Sequence, residues 1–400
     1  MSNRKLACLW VFALCVTQIS CSKKGGDSPP AVVPAVSVTD AFADRTTTGS
    51  VMHFSLSMNK TTTVPVSIDY SFTDGTAKSP TDYTAATGTI TIPSGSAIAS
   101  IDVQIKGDPT DKRQKNLEFT VNLSNPKNGT VSVNAAKGTI ITENGINLTT
   151  DNTGYTTPNT YAGYTLAWNE EFSGNALDLN AWNQEIGNGT NGWGNNELEY
   201  YTSSTKNCFV SNGNLIIEAR KEPINGLSYS SARLTTQNKK TYTFGRIDIR
   251  AKLPVGKGIW PALWMLGSNI TSVGWPACGE IDIMELIGTY PGRVHSTLHW
   301  KATNGNHASM GSQINLTSGD FSQQFHVYSL VWKQDMLDCL MDDQLIFRLT
   351  KTDVGAANYP FNASQFFIFN VAVGGDWPGP PDANTDFPQR MFVDYVRVFQ

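Results

Sequence analysis

Three acidic residues within one short apolar segment are the strongest candidates for chemistry in this sequence. Glu280, Asp282 and Glu285 lie in residues 279–286 (GEIDIMEL), where the remaining positions are mostly aliphatic and favour a buried β-strand. An unpaired charge in such a strand is costly because it loses its hydration. Acids at these positions therefore require a functional or structural reason.

The spacing of these acids determines which of them can act together. Residues two apart share a face of a strand, so Glu280 and Asp282 point the same way. A β-bulge near Ile283 and Met284 would bring Glu285 onto that face as well. Two carboxyls separated by roughly 5–5.5 Å suit a retaining glycosidase, in which one attacks and the other protonates the leaving oxygen. Asp282 between them would share a proton with Glu280 and raise the pKa of Glu285. A solvated acidic strand or a calcium site remains the alternative.

Aromatic residues surround this segment. Trp260 and Trp264 precede it, Trp275 lies five residues before Glu280, and His299 follows on the next predicted strand. Indole faces stack on the apolar faces of sugar rings. We expect these side chains to line a polysaccharide-binding cleft, with a position in the core as the alternative for each tryptophan.

The elements that must position these residues are strands. Residues 163–400 alternate between apolar and polar positions, as in 213–219, 245–251 and 391–398, which predicts one large β-sandwich. Residues 35–145 alternate in shorter runs separated by turn signals, which predicts a smaller antiparallel sandwich. Residues 146–162 are rich in Asn, Thr and Gly and are predicted to be a linker. The predicted fold class is therefore all-β.

The N-terminus has the pattern of an export signal. Arg4 and Lys5 precede an apolar run at 6–16 that is too short to span a bilayer, so residues 1–20 read as a signal peptide. Cys21 then resembles the acylated first residue of a bacterial lipoprotein, with ordinary cleavage nearby as the alternative. Residues 21–34 carry Gly, Pro and charge without periodicity and are interpreted as a tether.

Composition excludes several classes of protein. The chain has 400 residues, 40% of them hydrophobic, and a formal net charge of -4. Such a charge disfavours nucleic-acid binding, and the apolar content is sufficient for a core. Beyond Cys21 the mature chain has Cys208, Cys278 and Cys339, an odd number, so at least one is unpaired. We expect a monomer.

Other hydrolytic mechanisms lack their motifs. Residues 307–311 (HASMG) fall short of the Gly-x-Ser-x-Gly turn of serine hydrolases. The five histidines, at positions 53, 295, 299, 307 and 326, form no His-Glu-x-x-His zinc motif. A non-catalytic glycan-binding protein remains the alternative from a different class.

Residues 74–95, 101–108 and 117–130 of the N-terminal region resemble a Calx-beta domain. The resemblance implies that acidic residues at its loops can bind calcium, and the matching acids here are Asp82, Asp108 and Glu118. Basic residues occupy the loop where further acids are common: Lys112, Arg113 and Lys115. A spacer domain without calcium is the alternative.

The C-terminal region resembles glycoside hydrolase family 16, and within it the laminarinases, which are endo-β-1,3-glucanases. The motifs that carry this resemblance are GWGNNELEYYT (192–202), FGRIDIRAKLPVGKGIWPALWML (244–266), WPACGEIDIMELIG (275–288), STLHW (296–300) and NVAVGGDWPG (370–379). The resemblance implies a jelly-roll sandwich with a substrate cleft. It implies that Glu280 is the nucleophile, Asp282 an assisting acid and Glu285 the acid/base. Mixed-linkage glucanase or agarase-like activity is the alternative.

The same resemblance implies further site residues. The cleft residues it predicts are Asn195, Arg233, Trp260, Trp264 and His299. A structural calcium ion would bind Glu171, the carbonyl of Gly213 and Asp394, and no cofactor is expected for catalysis. The expected partners are a β-glucan and, through a lipid anchor, a membrane. The expected location is that of an exported outer-membrane lipoprotein on the cell-surface or periplasmic face.

Overall fold

The computed structural model describes residues 33–355 and 359–400, which are built almost entirely from β-strands. Helix in these residues is limited to a π-helical turn, Gly192–Asn196, and two single turns, α1 (Ile270–Val273) and α2 (Lys351–Val354). The prediction of an all-β fold is confirmed. The predicted signal peptide, Cys21 and residues 21–32 of the predicted tether lie outside the described residues.

The N-terminal region folds as two facing sheets. The first has the strand order β6-β3-β1-β8 and the second β2-β9-β7-β4-β5. The strands are β1 (Ala35–Val38), β2 (Ala41–Asp44), β3 (Ser50–Met58), β4 (Val66–Asp74), β5 (Gly88–Ile92), β6 (Ile98–Ile105), β7 (Leu117–Lys127), β8 (Thr130–Val133) and β9 (Ala135–Ile141). Alternate residues of β3 are buried, as the period of two predicts. Tyr83 and Phe119 stack at 4.0 Å in the core.

The C-terminal region is a larger sandwich of two sheets. Its first strands are β10 (Leu166–Glu170), β11 (Asn183–Glu185), β12 (Glu199–Tyr201), β13 (Cys208–Ser211), β14 (Asn214–Ile224), β15 (Leu227–Ser231), β16 (Arg233–Thr235), β17 (Gly245–Lys252) and β18 (Ile259–Gly267). The remaining strands are β19 (Glu280–Glu285), β20 (Arg293–Lys301), β21 (His307–Asn315), β22 (His326–Lys333), β23 (Met336–Met341), β24 (Gln344–Thr350), β25 (Gln365–Val373) and β26 (Gln389–Phe399). One sheet has ten strands, with β26 paired to β14, β17 and β10. The other has seven, in the order β11-β16-β25-β18-β19-β20-β21.

The seven-stranded sheet carries two different faces. On β18, Leu263 and Met265 belong to the core between the sheets, whereas Trp260 and Trp264 line a cleft on the outer face. Strand β25 is buried along its whole length because both of its faces are covered. Its sequence, QFFIFNVAV, is accordingly an almost continuous apolar run.

A β-bulge in β19 brings the three acids onto the cleft face, as the spacing predicted. Across from β18, Met284 pairs with Leu263 and Asp282 pairs with Trp264, so Ile283 has no partner of its own. Both Ile283 and Met284 then pack into the core. The extra residue restores the alternation, and Glu285 emerges on the same side as Asp282.

The segment predicted as a linker, residues 146–162, packs along the C-terminal sandwich. The Arg250 guanidinium donates to the carbonyls of Asn152 (2.7 Å) and Tyr155 (2.6 Å). The hydroxyl of Tyr161 donates to the Asp248 carboxylate at 2.7 Å. The Asn- and Thr-rich composition of residues 146–162 does not indicate this packing, because the segment is held mainly through backbone groups and polar side chains.

Arg113 joins the two sandwiches. Arg113 belongs to the N-terminal domain, and its guanidinium contacts the C-terminal sandwich. The guanidinium lies 3.9 Å from the ring centroid of Phe209 and donates to the carbonyl of Lys206 at 3.2 Å. It also lies 3.8 Å from the carboxylate of Glu218, which is fully buried and accepts from Arg390 at 2.6 Å. Arg113 is only 2% exposed, so the junction between the domains is desolvated.

Cys208, Cys278 and Cys339 are all buried and unpaired. This agrees with the odd count of cysteines, which required at least one free thiol. In residues 33–355 and 359–400, no helix has the length and apolar character needed to cross a bilayer.

Candidate active site

A cleft of about 580 Å³ lies on the outer face of the seven-stranded sheet. Its floor comes from β18, β19, β20 and β25, and one rim comes from the π-helical turn. Left-handed backbone at Asn191, Trp193 and Gly194 shapes this turn, and glycine adopts that conformation most readily. All nine side chains that the sequence predicts for catalysis and substrate binding line this cleft: Asn195, Arg233, Trp260, Trp264, Trp275, Glu280, Asp282, Glu285 and His299.

The three acids on β19 are crowded and largely dry. The side chain of Glu280 is 18% exposed and that of Asp282 is 4% exposed, and Glu285 is buried. Burial, followed by the neighbouring Asp282 charge, raises the pKa of Glu280 to about 8, and burial raises the pKa of Asp282 to about 8. Burial and the charges of Asp282 and Glu280 raise the pKa of Glu285 well above its usual range. Like charges at this density cannot all ionise together, so the group retains protons near neutral pH.

Two tryptophans each donate to one of the outer acids. The Trp275 Nε1–H donates to Glu280 Oε2 at 2.7 Å, and the Trp260 Nε1–H donates to Glu285 Oε1 at 3.1 Å. A donor to a carboxylate stabilises its ionised form, and each of these bonds acts against the rise in pKa caused by burial. The two outer acids therefore have separate, dedicated partners.

The central acid faces a histidine. Nε2 of His299 lies 3.0 Å from Asp282 Oδ2 and 4.0 Å from Glu280 Oε1. Within the described part of the chain, Glu280, Asp282 and His299 are the one set of three His, Cys, Asp or Glu side chains close enough to share a metal ion. All three side chains line the cleft. Because both carboxyls lie within 4.0 Å of His299 Nε2, the two carboxyls and the imidazole can also share protons.

The opposite wall of the cleft is formed around Arg233. Its guanidinium donates to Glu185 Oε2 at 2.5 Å and lies between the rings of Trp193 (4.4 Å) and Trp264 (4.7 Å). The Trp264 Nε1–H donates to Asn370 Oδ1 at 2.7 Å. These contacts restrict the orientation of both indoles in the wall of the cleft.

A buried acid pair supports the rim. Asn195 donates to Glu197 Oε1 at 3.1 Å, and the Tyr201 hydroxyl donates to Glu197 Oε2 at 3.2 Å. Glu199 is fully buried and accepts from the backbone N–H of Val373 at 2.6 Å. Burial, followed by the charge of Glu197, raises the pKa of Glu199 well above its usual range and so favours its protonated form. The network orients Asn195 toward the cleft.

The sequence did not single out several residues that line the cleft. One of them is Trp377, which contacts Trp260 edge-on at 5.6 Å and His295 at 5.1 Å. Others include Trp193, Glu197, His307 and Asn370. The signal for Glu197 was available, because it lies two positions after Asn195 within a motif already identified. Asn370 and His307 become neighbours of the acids only through strand pairing.

The residues predicted to bind calcium are engaged by basic side chains. Both oxygens of Glu171 accept from Arg397 at 2.8 Å, and Asp394 accepts from Arg250 at 2.7 Å. Gly213, with a φ of 72°, forms the turn between β13 and β14. A calcium ion at these residues would have to displace Arg397 from at least one oxygen of Glu171.

The predicted acids of the N-terminal domain also have internal partners. Asp82 pairs with Arg45 at 2.7 Å and Glu118 with Lys137 at 3.1 Å. Asp108 accepts from the backbone N–H of Thr110 at 2.9 Å. In the described residues these acids do not form a shared cluster.

Comparisons with known proteins agree with this geometry. A family model described as "Glycosyl hydrolases family 16" matches residues 195–397, and one described as "Calx-beta domain" matches residues 37–145. The chain is 42% identical over 246 residues to a beta-glucanase of Rhodothermus marinus, covering 59% of this chain and 85% of that protein. It is 38% identical over 260 residues to glucan endo-1,3-beta-glucosidase A1 of Niallia circulans, covering 60% of this chain but only 38% of that longer protein.

A solved structure shows the same architecture. It is the catalytic domain of an endo-1,3-beta-glucanase (laminarinase) from Thermotoga petrophila RKU-1, with 48% identity and a TM-score of 0.56. The match covers 59% of this chain and 98% of that domain.

Proposed function

The chain belongs to glycosyl hydrolase family 16, and we propose that it is an endo-acting β-1,3-glucanase that cleaves laminarin-type glucan with retention of configuration. The observation that carries the proposal is the bulged strand β19, which places Glu280, Asp282 and Glu285 on one face of an aromatic cleft. The names of the relatives from Rhodothermus marinus, Niallia circulans and Thermotoga petrophila support glucan as the substrate class. The N-terminal sandwich is a Calx-beta domain.

In the first step, an ionised Glu280 attacks the anomeric carbon while Glu285 transfers its proton to the glycosidic oxygen. The bond from that carbon to the leaving oxygen breaks, and an ester to Glu280 forms. The raised pKa of Glu285 supports its role as the acid, since burial and the neighbouring charges favour its protonated form. Burial raises the pKa of Glu280 to about 8, so Glu280 can attack when the shared proton lies on Asp282, and the N–H of Trp275 favours that ionised carboxylate.

In the second step, the acid and base roles of Glu285 reverse. Its carboxylate, now ionised, takes a proton from water, and the water oxygen attacks the anomeric carbon and releases Glu280. Esterification of Glu280 removes a neighbouring negative charge, which lowers the pKa of Glu285 and favours the ionised carboxylate that acts as the base. Asp282 holds the proton that the crowded acids share, with His299 at 3.0 Å.

The charge of the cleft favours an uncharged polymer. Among the described residues that line it, Arg233 is the only Lys or Arg, and its guanidinium is already paired with Glu185. Sulfate groups would find no free cation there. Exposed indoles lie on both sides of the acids, with Trp275 49% and Trp377 44% exposed, and they offer stacking surfaces for successive glucose rings.

A substrate panel and a rescue experiment test this proposal. Release of reducing sugar should be greatest on laminarin, lower on mixed-linkage β-1,3-1,4-glucan, and undetectable on agarose and carrageenan. Glu280→Ala should lose activity on laminarin, and azide should restore turnover of an activated aryl glycoside with formation of a glycosyl azide of inverted configuration. Glu285→Ala should give retained product instead. If agarose is preferred, the substrate assignment fails; if the two rescue patterns are exchanged, the catalytic roles are reversed.

Two properties of the whole chain belong to the same proposal. We propose that residues 1–20 direct export and that Cys21 is acylated, which would make the protein an outer-membrane lipoprotein with β-glucan as its soluble partner. The apolar run at 6–16 followed by Cys21 supports this. Structural calcium at Glu171, Gly213 and Asp394 stays a prediction, and it requires exchange of Arg397 for the ion.

A further inference from the structure

His307 lies against two of the side chains that approach the carboxylate of Glu280. It begins β21, the outermost strand of the seven-stranded sheet, and pairs in register with Lys301 of β20. Its imidazole stacks on that of His299 with 5.0 Å between centroids and an interplanar angle of 15°. It also packs against the indole of Trp275 at 4.7 Å. Trp275 and His299 both reach the Glu280 carboxylate, at 2.7 Å and 4.0 Å.

The two imidazoles are also joined by a hydrogen bond. Nδ1 of His299 lies 2.8 Å from Nε2 of His307, and a bond between two neutral imidazoles holds one proton. If His299 donated that proton, its Nε2 lone pair would face Asp282 Oδ2 at 3.0 Å and the carboxylate of Glu280 beyond it. Such an arrangement is repulsive toward Glu280 in the ionised form that attacks, because a lone pair would face a carboxylate. If His307 donates, His299 carries its proton on Nε2, 3.0 Å from Asp282 Oδ2, which is a buried oxygen without a hydrogen-bond partner among the described residues.

We propose that His307 is a positioning residue for the reaction, donating from Nε2 to His299 and holding His299 and Trp275 against Glu280. The inference rests on the proposed function, since it assigns His307 to the nucleophile side of the cleft. His307 acts through its two neighbours. His307 fixes the tautomer of His299 and the ring plane of Trp275. Together these two side chains hold Glu280 in the orientation needed to attack the anomeric carbon.

Two substitutions separate the hydrogen bond from the ring contact. His307→Phe keeps a planar ring against Trp275 but removes the donor to His299. His307→Gln retains an amide N–H that can donate to His299. We expect His307→Phe to lower kcat on laminarin by about tenfold to a hundredfold with KM within about twofold, because the nucleophile is misaimed rather than the glucan released. His307→Gln should recover most of kcat.

Three measurements make the test specific. The loss in His307→Phe should persist on an aryl glycoside with a good leaving group, since acid assistance from Glu285 is not the step affected. Imidazole ¹⁵N shifts should show His299 protonated at Nε2 in the wild type and as a mixture of tautomers in His307→Phe. His53→Phe, which removes an exposed histidine paired with Asp102 in the N-terminal domain, is the matched control and should keep wild-type kcat.

Several outcomes would overturn the proposal. These are wild-type kcat in His307→Phe, a loss confined to KM, a larger loss in His307→Gln than in His307→Phe, or protonation of His299 at Nδ1 in the wild type. Failure of the wild type to cleave laminarin would instead refute the proposed function. The ¹⁵N measurement needs no substrate and would still test the assignment of the proton.

Discussion

The paired tryptophan donors predict that the two limbs of the pH–rate profile can be moved separately. kcat/KM reports the ionisations of the free enzyme, so its acid limb follows the nucleophile and its alkaline limb follows the general acid. Trp275→Phe removes a donor to ionised Glu280, which raises the pKa of Glu280 and shifts the acid limb to higher pH. Trp260→Phe removes a donor to ionised Glu285, which raises the pKa of Glu285 and shifts the alkaline limb to higher pH.

The size of each shift follows from burial. A hydrogen bond to a charged group contributes about 1.5–3 kcal/mol, and one pKa unit corresponds to about 1.36 kcal/mol. Trp260 approaches a buried acid at 3.1 Å, so losing its N–H should move the alkaline limb by about one unit. Trp275 is 49% exposed, and water can replace part of its hydrogen bond. The acid limb of Trp275→Phe should therefore move by about half a unit.

The assay is kcat/KM on soluble laminarin across the full pH range in which the protein stays folded. Trp377→Phe is the matched control because its ring lines the same cleft and contacts Trp260 edge-on at 5.6 Å. It should raise KM and leave both limbs in place. Because the three acids titrate as a coupled group, each substitution can move the other limb slightly. The reasoning is refuted if Trp275→Phe moves the alkaline limb and Trp260→Phe the acid limb, or if neither limb moves.

Three further predictions concern the rest of the chain. Arg113→Ala should lower the free energy of unfolding by about 2–4 kcal/mol in urea denaturation, since it removes a buried cation beside Glu218 and its bonds to carbonyls. Lys112→Ala, at an exposed neighbouring position, should change it little, and an equal loss in both variants would contradict a specific role for Arg113. Calcium should raise the Tm relative to chelator, and Glu171→Ala should abolish that difference; no response to calcium in the wild type would argue against the site. Cys21→Ala should abolish labelling by a fatty-acid analogue and release the protein from the membrane fraction, and unchanged labelling would show that Cys21 is not acylated.

The local part of the site could be predicted from the sequence because it depends on a single strand. The alternation of the strand indicated that a bulge near Ile283 and Met284 would bring Glu285 onto the face of Glu280 and Asp282, and β19 contains a bulge there. Trp260 and Trp264 could be assigned to one face for the same reason, since both lie on β18 and share its alternation. Within one strand the period of two is fixed by backbone geometry, whatever the rest of the fold does.

The remaining part of the site depends on how distant strands pair. Asn370 on β25 accepts a hydrogen bond from Trp264, although it lies more than a hundred residues further along the chain. No local sequence pattern predicts that contact. His307 was one of five scattered histidines until the pairing of β20 with β21 brought it beside His299. The packing of residues 146–162 could not be predicted, because an Asn- and Thr-rich composition is also typical of a solvated linker. The contacts with Arg250 are made by the backbone carbonyls of Asn152 and Tyr155, which any sequence would supply.

The buried guanidinium of Arg113 limits how freely the two domains can be recombined in evolution or in engineering. A catalytic domain transplanted onto an unrelated partner would expose Phe209 and leave the Lys206 carbonyl without its donor. A replacement N-terminal module would have to supply an arginine in the same place, on a loop of the same length. The composition of the linker is therefore a poor guide to where the two domains can be separated. Domain exchanges that keep Arg113 and Glu218 together would preserve the junction.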